Sequence, residues 1–254
     1  MMRKLFVIGV GAGNPEHVTI QAIKALNEVD VFFVMDKGAD KTDLVRIRQD
    51  ICARYIEDDD YRFVEVKDPA RDPAAPTYRT GVDVWHRQRA DILQRAITDE
   101  LGEDQTGGFL VWGDPSLYDS TLRVIALMQT NGIVAFEYEV IPGITSVQAL
   151  AAAHRIALNH IGGPIHITTG RQLRDAPSPD ADNIVVMLDG AGAFKAVDPT
   201  DITIHWGAYL GTDKELLVSG PLHEAAAEIE RLRSEARARH GWIMDTYLLR
   251  RRET

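Results

Sequence analysis

One cysteine in 254 residues, Cys52, leaves no partner for an internal disulfide and no thiolates for a zinc cluster. Such cysteine usage suits a reducing cytosol, and no metal site is expected. Long apolar runs are missing too: nothing approaches the ~20 consecutive residues of a membrane span. The opening MMRKLFVIGVGAG has a four-residue apolar run, LFVI, before its first glycine, short for a signal peptide. A cytoplasmic protein without a membrane partner is therefore expected. Positive charge is in deficit, with 28 Lys and Arg against 38 Asp and Glu and a net charge of −10. That balance excludes a broad nucleic-acid footprint. Repeats of fixed period are absent.

What the chain does have is enough apolar residue, 45% of the total, to build one large or two modest cores. Its arginines gather locally, at Arg71, Arg79, Arg87 and Arg89 and again at Arg171 and Arg174. Singly, each reads as a solvated side chain. Together they could hold a polyanionic small molecule.

Strand-like and helix-like segments alternate through the first half. KLFVIGV, VFFVMD, YRFVEV, GFLVW and VAFEYEVI read as strands. Between them lie periodic segments, among them HVTIQAIKALNEVD, TDLVRIRQDICARYI, a long helix over 82–101 and TLRVIALMQTNG. This alternation predicts an α/β domain over 1–141 with a mainly parallel sheet covered on both faces. After IPGITS the chain becomes richer in strand, with PIHITTGR, NIVVMLD, ITIHWGAYL and WIMDTYLLR around one amphipathic helix, PLHEAAAEIERLRSEARARHG. A second, smaller α/β domain with a mixed sheet is expected over 142–254. Residues 67–80, KDPARDPAAPTYRT, contain three prolines and read as a long loop of the kind that usually carries function.

Two turns after strands could cradle a ligand. In GVGAGNPEHVT, the sixth position of a dinucleotide fingerprint falls on Asn14 counted from Gly9, or on Glu16 counted from Gly11. Neither is small, and a carboxylate there opposes a phosphate. A tight strand-to-helix turn capped by Asn14 or Thr19 is an equal alternative to a binding role. In LVWGDPSLYDST, Gly113 permits close backbone approach and Pro115 removes a donor. That turn therefore displays carbonyls and the Asp114 carboxylate, which suits a cationic ligand better than a phosphate. A third turn, IPGITS, precedes a helix rich in small residues.

Taken in order, G-x-G-x-G with N-P-E-x-x-T, a strand ending in Asp36, L-V-x-G-D-P and I-P-G-I-T-S resemble the tetrapyrrole methylases across nearly the whole chain. That resemblance implies an S-adenosylmethionine-dependent methyltransferase of corrin or sirohaem synthesis, with the donor in a trough between two α/β domains. It implies donor contacts at Trp112, Gly113, Asp114, Leu117, Thr145, Ser146, Met187 and Gly207. Gly11, Gly13 and Asn14 would face the tetrapyrrole, and Arg71, Arg79 and Arg87 would clamp its carboxylates. The stretches GVGAGNPEHVTIQAIKAL and YRTGVDVWHRQRA look most like members that methylate a precorrin at C-1 and release acetate. For the water activation that such a reaction needs, Asp36, Tyr78 and His86 are candidates. His86 also reads as an ordinary half-buried helix histidine beside Trp85. Homodimers are implied as well. Two alternatives stand beside this reading: another tetrapyrrole C-methyltransferase, and a Rossmann-type NAD(P) oxidoreductase using the first glycine turn.

Overall fold

Alternate residues of the first strand, β1 (Arg3–Gly9), enter two different cores. Leu5 and Val7 join one cluster, while Phe6 and Ile8 join the other. A period of two with both phases apolar is what a strand buried on both faces requires. The structure is a computed structural model that describes residues 2–36, 42–72, 74–175 and 181–252, with the side chains of residue 36 and residues 42–45 outside the description.

The chain divides into two units. One comprises Met1–Gly11 with Pro15–Thr145, the other Ala12–Asn14 with Ser146–Thr254. In the first, β2 (Val31–Asp36), β3 (Arg62–Lys67), β4 (Thr106–Val111) and β5 (Phe136–Ile141) join β1 in an all-parallel sheet of order β3-β2-β4-β1-β5. Helices α1 (Ile20–Leu26) and α2 (Thr42–Tyr55) bury Ala22, Ala25, Leu26, Ile51 and Cys52 on one face. The other face is covered by α3 (Tyr78–Glu100) and α4 (Thr121–Asn131), through Leu93, Ile97, Val124 and Met128. The connections from β1 and β2 therefore leave toward one face and those from β3 and β4 toward the other. Crevices open at the carboxyl ends of the strands where such connections diverge.

Helix α3 starts four residues earlier than the expected 82, because Thr77 Oγ1 accepts from the Thr80 N–H at 3.1 Å and caps the first turn. Tyr78 and Arg79 thus lie on a helix, and the proline-rich loop is shorter than the sequence suggested. Thr19 caps α1 in the same way, with Ala22 N–H donating at 3.0 Å.

The second unit contains α5 (Ser146–His154), β6 (His166–Thr169), α6 (Gly170–Asp175), β7 (Asn183–Met187), β8 (Ile202–Ala208), β9 (Leu216–Pro221), α7 (Leu222–His240) and β10 (Asp245–Arg251). Its mixed sheet runs β6-β7-β10-β8-β9, with β6 and β7 parallel and the other pairs antiparallel. Strand β9 was not anticipated: LLVSGP ends in Gly-Pro and reads as a loop, but pairing with β8 fixes it. No helix among the described residues is long and apolar enough to cross a membrane.

Beneath this sheet runs a buried polar chain. Arg233 of α7 pairs with Asp245 and donates to the Asp189 carbonyl at 2.7 Å. Tyr247 donates to Asp189 Oδ2 at 2.7 Å, and the Trp206 indole N–H to Asp245 Oδ2 at 2.8 Å. Asp189 also accepts the N–H groups of Gly192 and Ala193. Removing one partner of such a pair strands a buried charge, so Arg233→Leu is expected to cost about 3–5 kcal/mol in urea unfolding. On the same helix, exposed Arg231 pairs with Glu228 and Glu235. Arg231→Leu is expected to cost under about 1 kcal/mol, and equal losses for the two variants would refute the assignment of stability to the buried chain.

Candidate functional site

Three turns meet in the first unit with almost no side chain between them. Gly11 N–H donates to Gly113 O at 3.3 Å, and Gly113 N–H returns to Gly11 O at 2.8 Å. A Cβ on Gly9 would lie 2.7 Å from Gly143 N and 2.8 Å from Gly113 O. One on Gly143 would collide with Gly113 O and sit 2.8 Å from Gly9 C. The two glycine turns are therefore halves of one junction, built on the adjacent ends of β1 and β4 and locked by the turn after β5.

Asp114 fastens the third turn. Its Oδ2 accepts Gly143 N–H at 2.8 Å, and its Oδ1 accepts Ser116 N–H at 2.8 Å together with the Ser116 hydroxyl. Burial pushes the Asp114 carboxyl up, but these three donors outweigh it and hold the carboxyl below the usual range. The carboxylate is thus turned onto its own loops, which spacing alone did not reveal. Trp112 is half-buried, and its indole N–H is enclosed with no acceptor among the described residues. Thr145 is buried with its Cα close to Gly113, and Leu117 is half-buried above a turn closed by its N–H to Asp114 O at 3.3 Å.

A second cluster lies at the ends of β3 and β4. Arg89 donates to Asp68 Oδ1 at 2.9 Å and to Ser120 Oγ at 2.7 Å, tying the loop after β3 to the loop that contains Asp114. Trp85 donates its indole N–H to Pro69 O at 2.9 Å and carries Arg71 and Arg89 over its ring at 4.4 and 4.2 Å. His86 adjoins Trp85, with ring centroids 5.3 Å apart. Arg71, Arg79 and Arg87 are exposed, as is Tyr78. The sequence grouped Arg89 with the clustered arginines without marking it as the buried one, and gave no sign of its partner Asp68; the aromatic–arginine pair Trp85 and Arg89, four residues apart on a helix, was the available signal. Arg48 escaped the sequence reading: from α2 its Nε donates to Leu110 O at 3.0 Å. Asp36 ends β2, but its side chain lies outside the described residues.

In the second unit, Gly13 packs on Leu210 and Thr212, and a Cβ on Gly207 would strike Leu210 and Leu150. Leu150 and Leu210 thus demand a glycine at 207. Ser146 accepts from the Thr246 hydroxyl at 3.0 Å. Met187 ends β7 and is followed by Leu188, exposed and held at φ 52° above the buried Asp189. No group of three or more His, Cys, Asp or Glu suited to a metal occurs among the described residues.

A parallel sheet whose glycine turns meet at its carboxyl edge, joined to a second mixed-sheet unit, defines a small-molecule enzyme of the α/β class. Residues 4–226 match the family profile of the tetrapyrrole (corrin/porphyrin) methylases. The chain is 52% identical over 250 residues to precorrin-6A synthase [deacetylating] from a Sinorhizobium species, covering 98% of this chain and 96% of that one. It is 41% identical to the crystal structure of a cobalamin-synthesis-related protein (CobF) from Corynebacterium diphtheriae, with a TM-score of 0.86 and full coverage of both chains. A uroporphyrin-III C-methyltransferase from Thermus thermophilus complexed with S-adenosylhomocysteine shares the fold at a TM-score of 0.60 and 20% identity, over 97% of this chain and 96% of that one. The chain belongs to the tetrapyrrole methylases. This sets aside the NAD(P) oxidoreductase alternative. The structure supplies the physical reason: after the first glycines comes a 3-10 turn at Pro15–His17, and α1 begins only at Ile20, so no helix N-terminus faces a pyrophosphate there.

Because the junction is backbone against backbone, Gly143→Ala is expected to lower stability by about 3 kcal/mol in thermal or urea unfolding; an unchanged midpoint would contradict the packing. The Asp114 bond gives a second readout. With its carboxyl held low, the Gly143 N–H is expected to titrate in NMR only below the ordinary aspartate value of about 3.9. Its contribution persists above that value and is lost as pH falls through the depressed one. The Gly143 shift in Asp114→Asn should not titrate at all.

Proposed function

We propose that this chain methylates precorrin-5 at C-1 with S-adenosylmethionine and releases the acetyl group as acetate, giving precorrin-6A. The observation that carries the proposal is the 52% identity, over nearly the full length of both chains, to a relative bearing that activity in its name. Family membership supports S-adenosylmethionine as the methyl donor.

The residues at the glycine junction fit that donor. Trp112 offers an enclosed N–H with no partner among the described residues, which a donor carboxylate or purine nitrogen would satisfy. Within this reading Trp112, Gly113, Asp114, Leu117 and Thr145 hold the donor from the first unit, and Ser146, Met187 and Gly207 are its assignments in the second. Asp114 acts by fixing the loops, since its oxygens already accept three hydrogen bonds. Gly11, Gly13 and Asn14 are assigned to the tetrapyrrole. Arg71, Arg79 and Arg87, exposed on the β3–α3 loop and on α3, are its carboxylate anchors. Asp36 and Tyr78 remain candidates for proton transfer. The working unit is a homodimer in the cytoplasm, a reading carried by the family resemblance.

Incubation with S-adenosylmethionine and precorrin-5, followed by mass spectrometry and an acetate assay, tests the proposal. A product lighter than the substrate, with one acetate and one S-adenosylhomocysteine per turnover, is expected. A heavier product without acetate would assign the chain to another C-methyltransferase of the family. In the same assay Arg79→Ala is expected to raise KM for the tetrapyrrole about tenfold and leave S-adenosylhomocysteine binding, followed by tryptophan fluorescence, unchanged.

A further inference from the structure

Among the buried polar side chains of the first unit, His86 stands apart. It is only 7% exposed, yet its ring makes no hydrogen bond to any described residue. Both ring nitrogens still reach the surface, since neither is among the fully enclosed unpartnered atoms. A histidine kept for packing would ordinarily donate its N–H to a carbonyl or carboxylate. The groups that act on it electrostatically are Arg123 from α4, Arg89 and Asp83 from its own helix, and Arg71 from the loop after β3. Arg89 is itself neutralised by Asp68 and fixed to Ser120. Arg71 lies across Trp85 in cation–π contact, which aims it over the same ring that His86 adjoins. Arg123 is exposed. The cluster therefore presents one imidazole with open nitrogens beside two guanidiniums that carry no buried carboxylate partner. Through Arg89 and Ser120 it is tied to the loop that contains Asp114, which leaves the carboxyl end of β4.

Such a group has no use in methyl transfer, which needs alignment rather than a proton acceptor. Removal of an acetyl group does need one. We propose that His86 is the general base of the deacetylation, taking a proton from the water that attacks the acetyl carbonyl, with Arg71 and Arg123 steadying the oxyanion and the departing acetate. The inference rests on the deacetylating activity proposed above and adds the residues that perform it. Water adds to the acetyl carbonyl carbon while His86 accepts one of its protons. The bond from that carbon to the ring carbon then breaks. Acetic acid leaves and ionises, and the electron pair stays on the ring carbon. That carbon takes the methyl group from the sulfonium donor, whose carbon–sulfur bond breaks to leave the thioether. Substrate, donor and water thus become methylated product, acetate, S-adenosylhomocysteine and two protons, with no oxidant or reductant. Burial, followed by Arg123, Arg89 and Arg71, pushes the His86 pKa below its ordinary 6.5 against the weaker pull of Asp83. The imidazole is consequently the free base at neutral pH, and positive neighbours also favour an oxyanion.

The test uses the full chain with precorrin-5 and measures acetate and S-adenosylhomocysteine separately. His86→Gln is expected to slow acetate release by roughly 10²–10⁴-fold and methyl transfer in step with it, because the ring carbon gains its electron pair only when the acetyl group leaves. Binding of S-adenosylhomocysteine and of the tetrapyrrole, and the melting temperature, should stay as in the wild type. In the wild type, kcat/KM should fall as pH drops through a value below 6.5, and His86→Gln should lack that limb. Added imidazole should partly restore acetate release in His86→Ala. Acetate release by His86→Gln within a few-fold of the wild type would overturn the assignment, as would an unchanged acid limb. A wild type that methylates precorrin-5 without releasing acetate would instead sink the functional reading on which it depends.

Discussion

Backbone contact without side chains is the constraint on which the first unit turns. Gly9, Gly113 and Gly143 come from three different strand ends, and Gly9 and Gly143 exclude a Cβ because another main chain occupies the space. The turn after β5 can lie against the ends of β1 and β4 only while Gly9 and Gly143 carry no side chain. Gly113 is glycine for a different reason: its φ of 70° lies in the left-handed region. The consequence is a rigid floor at the edge of the sheet. Asp114 completes it, spending its carboxylate on the Gly143 and Ser116 donors. Trp112 and Leu117, both half-buried, stand on that floor on either side of Asp114 in sequence.

The second unit solves the same problem by other means. Where the first unit stacks main chain on main chain, the second holds the loop after β7 with a buried ionic chain. Asp189 takes three backbone N–H groups and the Tyr247 hydroxyl, and Arg233 links its carbonyl to Asp245. Buried ion pairs rarely add net stability over apolar replacements, so this chain is better understood as fixing one geometry. Just before it, Leu188 is held at φ 52° with its side chain outward. A bulky residue in that region costs about 1–3 kcal/mol, and such strain persists only where the surroundings over-determine it. Directly after Met187, that is the price of presenting a particular stretch of backbone.

Much of this was legible in the sequence. Both phases of KLFVIGV are apolar, so a strand covered on two faces followed directly, and helices between the strands made the sheet parallel. Pro-Gly and Asp-Pro marked the turns. The pairing of those turns was not legible, because periodicity reports which face a residue occupies and says nothing about which loops touch. That limit explains why the amino-terminal glycines read as rivals of the Gly113 turn when they are its hydrogen-bonded partner. Strand β9 was hidden for a related reason: its residues alternate weakly, and only pairing with β8 makes LLVSGP extended. Arg89 was hidden by its company. Among four arginines in one stretch, sequence cannot tell which reaches inward to a carboxylate such as Asp68.

That last distinction governs how an acidic protein can hold an anion. A net charge of −10 repels a polycarboxylate at long range, but beyond a Debye length of about 8 Å at physiological salt the repulsion is screened. Within that distance, the local arrangement decides. Asp68 neutralises Arg89, which then serves as a post joining two loops and a tryptophan face. Arg71, Arg79, Arg87 and Arg123 stay at the surface. One buried ion pair thus ties down a loop whose Arg71 is exposed and lies over Trp85, and a guanidinium held by an aromatic face gives up less freedom on binding a carboxylate than one swinging in water. The acidic excess elsewhere then disfavours nucleic acids and other long polyanions, while close to the cluster the exposed guanidiniums, with only Asp68, Asp83 and Asp119 acting against them, set the local potential.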